Sequence, residues 1–307
     1  MEHKRVIPVL VAVLVAACIV VSVIIISRYN QTNFVPVDSV NSIVSLLESD
    51  GITVDRASVN REIVRGTVYR CESAGYGSKV AELLDVGAVK STYVTPSGEA
   101  TVLENGGIIV FGNDFSIKYA KNGNAGEGGT RSVSPFEAGI GEYSEDWAEA
   151  AKAAREFMNR GSSEFKSVGR IELDTVVQGV TKSGQDFYVT CTRTLDEVEV
   201  TGNEMLCVVR SGEVVEAEGT WNFLVPGSTY SVRMIDVPSV LFNARGDIIS
   251  GAGEGTPVKI ERITKCYTLL YDSESSGFFL IPCWKIDTDV AGEYVYNGIN
   301  GEFCTKK

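Results

Sequence analysis

The chain has 307 residues, with 40 acidic side chains against 28 basic ones and a formal net charge of −12. That balance argues against a phosphate-backbone partner, so no nucleic acid is expected. Its one histidine is His3, which removes Ser-His-Asp and Cys-His catalysis, and histidine-containing zinc sites, from everything downstream.

Val6 to Ile26 is a run of 21 residues without a charge, almost all apolar. At about 1.5 Å per residue it just spans a hydrocarbon core of about 30 Å. Lys4 and Arg5 precede it, and Arg28 follows. Positive residues favour the cytoplasmic side, so a single-pass protein is expected in the cell membrane, N-terminus cytoplasmic and bulk extracellular. Val15-Ala16-Ala17-Cys18 offers a competing reading as a lipoprotein box, but Ile19 to Ser27 would then open the mature chain as an apolar stub. Ala12 and Ala16 make a small-xxx-small step on which another membrane helix could pack, although alanine is also common in such helices.

Asn30 to Val37 reads as a polar stem, closing a first segment of tail, anchor and stem over 1–35. Asp38 then caps a helix whose Val40, Ile43, Val44 and Leu47 recur at helical spacing, ending at Gly51. A strand over Glu62–Arg70, a short helix over Ser78–Asp85 and four strands between Lys90 and Tyr119 complete a domain over 36–120. The glycine-rich stretch 121–143 reads as a linker.

A second domain is expected over 144–307. Ser144 opens a helix with Trp147, Ala151, Ala154 and Met158 on one face, stopped by Gly161. Strands follow, with a hairpin at Ser211-Gly212 and with Val215, Ala217, Gly219 and Trp221 sharing a face. Asp236, with Pro238 two residues later, caps a short helix through Val240, Leu241 and Ala244. Lys259–Tyr271, Phe278–Asp287 and Glu293–Asn297 are strands, and Pro282 implies a bulge or an edge. The fold class expected is α+β: one N-terminal transmembrane helix, then antiparallel sheets with helices packed on one face.

Six cysteines follow the anchor: Cys71, Cys191, Cys207, Cys266, Cys283 and Cys304. Cys266 with Cys283, and Cys191 with Cys207, flank candidate turns and are possible disulfides; the alternative is six small buried hydrophobes. No C-x-x-C occurs. Ser163-Glu164-Phe165-Lys166 and Lys182-Ser183-Gly184 match penicillin-binding motifs but stand too close together for that use. Gly251 to Gly255 reads as a loop without a phosphate-holding helix. Asp287-Thr288-Asp289 starts like a calcium loop but lacks two oxygen ligands, and Asp196, Glu197 and Glu199 read as a solvated strand edge. No catalytic residue, cofactor or metal is assigned.

Ile260-Glu261-Arg262-Ile263 leading to Tyr267, then Leu280-Ile281-Pro282-Cys283-Trp284-Lys285-Ile286, then Glu293-Tyr294-Val295-Tyr296-Asn297 and Gly301-Glu302 resemble the ending of the YycH and YycI proteins. Ala151 to Phe157, Phe187 to Thr190, Gly202-Asn203 and Gly212 to Trp221 resemble the same family, best over 145–307 and less over 36–120. The cysteines and the stretch 121–142 depart from it. The resemblance implies a non-enzymatic accessory regulator in two-component signal transduction of Gram-positive bacteria. Its implied partners are a membrane sensor histidine kinase and a paralogous regulator, contacted through the membrane helix and the outer domain. A distant similarity to PepSY modules implies the alternative, a surface-tethered binding or inhibitory module acting on a hydrolase or wall polymer.

Overall fold

A computed structural model describes residues 33–73, 77–96, 98–112, 115–122, 145–160, 173–222, 224–253, 255–272 and 277–306. The described residues form an α+β protein with four α-helices and 15 strands. In chain order these begin with α1 (Val37–Ser49), β1 (Ile52–Val54), β2 (Arg65–Ser73), α2 (Gly77–Leu84), β3 (Val89–Thr95), β4 (Gly98–Leu103), β5 (Ile108–Gly112) and β6 (Ser116–Ala120). They continue as α3 (Glu145–Arg160), β7 (Leu173–Ser183), β8 (Asp186–Leu195), β9 (Val198–Arg210), β10 (Glu213–Thr220) and β11 (Leu224–Arg233). The last are α4 (Val237–Ala252), β12 (Val258–Asp272), β13 (Gly277–Thr288), β14 (Glu293–Asn297) and β15 (Phe303–Lys306). Among them no helix is long and apolar enough to cross a membrane; the run 6–26, with Ala12, Ala16 and Cys18, lies outside the described residues.

Contacts divide the chain into two units. The first collects the described residues up to Gly66, Ser231–Thr264 and the chain from Cys283 onward; the second holds Thr67–Tyr230 and Lys265–Pro282. The sequence reading instead divides the chain at 121–143. β6 and β10, on either side of that stretch, are hydrogen-bonded neighbours from Glu216↔Ala120 to Thr220↔Ser116, so the contacts join what the composition separates. The stretch 123–144 itself lies outside the described residues.

In the first unit, α1 buries Val40, Ile43, Val44 and Leu47, as their spacing predicts. Asp38 is not its cap. Pro36, at φ −56°, occupies that position with no side-chain cap bond, and Asp38 falls in the first turn, where its charge meets the helix dipole. α4 is capped as expected: Asp236 Oδ1 accepts the Ser239 N–H at 2.9 Å, with Pro238 in the first turn. It runs 16 residues, past the expected short helix, and takes in Gly251, expected in a loop. A Cβ on Gly251 would overlap the Tyr294 hydroxyl, so the glycine allows a close approach to β14. β1 pairs parallel with β12, and β13, β14 and β15 form an antiparallel ladder. Between helices and strands lies one cluster that includes Leu47, Leu241, Ile248, Ile260, Trp284 and Tyr296.

In the second unit, β7-β8-β9-β10-β6-β5-β4-β3 is a continuous antiparallel run. Val80, Ala81 and Leu84 of α2 and Ala154, Phe157 and Met158 of α3 share one cluster with alternate residues of those strands. The helix expected from Ser144 is thus present as α3, with Ala150 buried where Trp147 is only partly so. A register shift in β10 between Val214 and Glu216 turns Val214 inward instead of Val215. Of the three acidic residues, Asp196 and Glu197 form the β8–β9 turn, and Glu199 lies in β9 opposite Thr194. Asp196 and Glu197 both take positive φ, 49° and 66°, as a type I′ turn needs.

β12 and β13 contribute to both units. Pro282 sits where β13 changes partner: Leu280 is paired with β2 and Cys283 with β14. A residue without an N–H is tolerated at such a switch.

Candidate functional site

The first unit carries an open groove of about 870 Å3 along α1 and the start of α4. Its walls are held by backbone bonds on both sides. The Val35 N–H donates to Arg61 O at 2.7 Å, the Ile63 N–H to Asn33 O at 2.8 Å and Arg61 Nε to Val35 O at 3.0 Å, so the chain entering α1 lies along 61–63. Before α4, the Met234 N–H donates to Val64 O and the Ile235 N–H to Gly298 O, and Trp284 Nε1 donates to Ile235 O at 3.0 Å. These bonds, with the Asp236 cap, fix the N-terminus of α4 as one wall.

The lining is amphipathic. Phe34, Ile43, Leu46, Ile63 and Phe242 supply apolar surface; Asp38, Asp236, Arg233, Asn243 and the hydroxyls of Ser39, Ser42 and Ser239 supply polar groups. Phe242 is 59% exposed and Val37, in the first turn of α1, is 50% exposed. Polar and apolar groups share the lining about equally, so the groove offers both kinds of contact. Among the described lining residues there is no histidine, lysine or cysteine to activate a serine, and Asp236 Oδ1 is engaged in capping. The arrangement offers apolar surface, hydroxyls and the Asp38 carboxylate to a ligand.

The motifs weighed in the sequence lie elsewhere or outside the described residues. Ser163 to Lys166 is outside them, and Lys182 and Ser183 end β7, with Gly184 opening the turn to β8. Asp287 pairs with Arg262 Nε at 2.7 Å, and Asp289 accepts the Lys259 N–H at 2.8 Å, so these two carboxylates serve strand and turn. No group of three or more metal-binding side chains occurs among the described residues.

Cys191, Cys207, Cys266, Cys283 and Cys304 are in the thiol form, not in disulfides. Cys191 and Cys207 are diagonal neighbours on β8 and β9, since Val189 faces Cys207 and Cys191 faces Met205. Diagonal Cα spacing of about 7 to 8 Å is long for a disulfide. Both are buried, and the Cys191 thiol together with burial pushes Cys207 well up. Cys266 is buried in β12. The Cys283 thiol hydrogen-bonds Cys304, a neighbour that turn symmetry in the sequence does not suggest. The groove itself was missed in the sequence; its one legible signal is the pair of helix starts at 36–38 and 236–238.

No family model matches the chain, and no curated protein matches it. Among solved structures, it is similar to an uncharacterized protein from Eubacterium rectale, at 11% identity and a TM-score of 0.40, over 84% of this chain and 92% of that one. It is also similar to the Bacillus megaterium YpeB C-terminal domain, at 10% identity and a TM-score of 0.30, over 74% and 93% of the two chains.

Proposed function

We propose that the chain is a bitopic, non-catalytic membrane regulator of a cell-envelope-sensing histidine kinase, as its resemblance to YycH and YycI implies. Residues 6–26 form its single anchor, with the N-terminus cytoplasmic and the bulk of the chain outside. Ala12 and Ala16 present the small face on which a kinase helix packs. The observation that carries the reading is the α1–α4 groove: an amphipathic trough starting at Phe34, eight residues after the apolar run ends at Ile26. A site there receives a segment of a neighbouring membrane protein as it leaves the bilayer.

The test is a detergent pull-down of the full chain beside a version whose residues 6–27 are an unrelated membrane helix, and a third with Ala12→Leu and Ala16→Leu. Recovery of a histidine kinase with the native helix and its loss with the other two supports the proposal. Equal recovery in all three removes the helix from the contact. The groove also favours a second reading, a surface-tethered binding module acting on a hydrolase or wall polymer. That reading expects the swapped-anchor chain to keep its partner, and the partner not to be a kinase.

A further inference from the structure

Two thiols distant in sequence meet at the end of the first unit. β13 and β14 pair with Cys283 opposite Asn297. The Asn297 N–H donates to Glu302 O and the Gly301 N–H to Asn297 O, both at 2.8 Å, which folds the chain back beside Asn297. β15 then pairs with β14 irregularly: Tyr296 faces Phe303 and Val295 faces Thr305, so Cys304 is the extra residue of a bulge. A bulge re-aims its side chain. The Cys304 thiol donates to Glu302 O at 3.8 Å, and the Cys283 thiol and the Asn297 N–H are close enough to act on its sulfur. Cys283 is fully buried, whereas Cys304 is partly exposed.

That is an asymmetric pair. The thiolate is the nucleophile in disulfide exchange, and donors aimed at sulfur favour it. The Cys283 thiol holds the Cys304 thiol below the usual range with help from the Asn297 amide, against burial and the Glu302 carboxylate, which act the other way. The accessible sulfur is thus the one prepared to attack, and the buried sulfur is in contact with it. Cys191 and Cys207, both fully buried, make the contrasting pair.

We propose that Cys304 and Cys283 are a thiol–disulfide exchange pair whose oxidant is an external low-molecular-weight disulfide, RS–SR. The Cys304 thiolate attacks one sulfur of RS–SR, forming Cys304–S–SR and releasing RS−, which takes up the proton Cys304 gave up. Cys283 then loses its proton and attacks the Cys304 sulfur, closing the Cys283–Cys304 bond and expelling the second RS−, which is protonated in turn. Two protein thiols are oxidised and one external disulfide is reduced to two thiols. β15 is four residues long and, among the described strands, pairs with β14 alone, so it can move the short way that bond closure needs. The product ties the last strand to β13 beside Trp284, which faces Tyr296 across the ladder.

The test uses the full chain in detergent, reduced and then exposed to oxidised glutathione, with acid quenching, alkylation by N-ethylmaleimide and peptide mass spectrometry. A peptide joining Cys283 to Cys304 is expected, formed at least about tenfold faster than any modification of Cys191 or Cys207. Cys283→Ala should trap the Cys304–glutathione mixed disulfide and shift the pH profile of Cys304 alkylation by iodoacetamide to higher pH. Cys304→Ser should leave Cys283 reduced. Cys283→Val, which keeps the site apolar, repeats the trapping if cavity formation in the alanine variant unfolds the chain. The proposal is overturned if Cys304 reacts no faster than the buried cysteines, if the bond joins a different pair, or if the mixed disulfide does not accumulate in the folded Cys283 variants.

Discussion

Leu47→Ala tests the wall on which the groove depends. Leu47 is fully buried on the inner face of α1, in the cluster that also holds Leu241, Ala244, Ile248 and Trp284. Truncating a buried leucine costs the transfer free energy of the lost carbons plus the cavity left behind, about 3 to 5 kcal/mol in a site that cannot collapse. α1 is a 13-residue helix open to the groove on one side and able to settle inward, which favours the lower end, about 3 kcal/mol. With a urea slope of about 2 kcal/mol/M, the midpoint should fall by about 1.5 M. Trp284, 4% exposed and in the same cluster, reports on this unit, whereas Trp221 and Trp147 belong to the other cluster. The assay is urea unfolding followed by fluorescence, with Trp284→Phe run in parallel to isolate the Trp284 signal. Val37→Ala, on the exposed side of the same helix, should cost less than about 0.5 kcal/mol. Equal shifts for Leu47→Ala and Val37→Ala would refute the inward face assigned to α1, and with it the groove wall.

Phe242→Asp should change stability by no more than about 0.5 kcal/mol, because the ring is exposed, yet reduce partner recovery in the pull-down at least about tenfold; undiminished recovery would take the groove out of the interaction. Gly219→Ala should cost about 3 kcal/mol, since its φ is +156° and a Cβ would overlap Glu204 O, while Gly184→Ala, at φ +64° in open space, should cost about 1 kcal/mol. Thermal midpoints of the two variants give the comparison, and equal values would contradict the crowding at Gly219. Burial raises the Asp174 carboxyl, but the Arg155 guanidinium, the Asn159 amide and the Thr175 N–H outweigh it and hold the group below its usual range. A depressed carboxyl contributes stability that is present above the unfolded value near about pH 4 and lost as pH falls through the folded value. Arg155→Ala should therefore move the acid-unfolding midpoint to higher pH while costing under about 1 kcal/mol at pH 7, the Arg155 side chain being half exposed. An acid transition that stays in place would show that the pair does not act on folding.

Local periodicity made most elements legible. Val40, Ile43, Val44 and Leu47 declared α1, Asp236 and Pro238 declared the start of α4, and Ser211-Gly212 declared the β9–β10 turn. Signals failed where a tertiary neighbour decides. Gly251 looks like loop material until Tyr294 is placed against it, and the Asp196-Glu197 turn lacks the Asn-Gly signature that its positive φ values call for. β15 is too short for a pattern, and without it Cys304 has no visible neighbour. The division into units was hidden for the same reason. Composition marks a glycine-rich stretch, whereas hydrogen bonds from β6 to β10 pass over it and β12 and β13 contribute to both units. The groove belongs to this second class, because its walls come from residues about 200 positions apart in the chain.

On the proposed reading, chain length limits what can reach the groove. Six residues, 27–32, separate the apolar run from Asn33, and an extended chain covers at most about 3.6 Å per residue, so Asn33 stays within about 25 Å of the bilayer end of the anchor. Phe34 and Pro36 line the groove immediately beyond. A segment emerging from the same membrane is therefore held at high effective concentration, whereas a soluble ligand gains nothing from the tether. Occupancy alone would still not regulate. If the groove held such a segment equally well in both states of a kinase, the balance between those states would not move; moving it from 1:99 to 99:1 takes a difference in binding of about 10⁴-fold. The amphipathic lining suits such discrimination, because a small rotation of the entering segment would exchange apolar contact with Phe242 and Leu46 for apposition to Asp38 and Asp236. Regulation on this reading comes from the mismatch in one of the two states, and Phe242→Asp should then reduce the difference between kinase states as well as the binding itself.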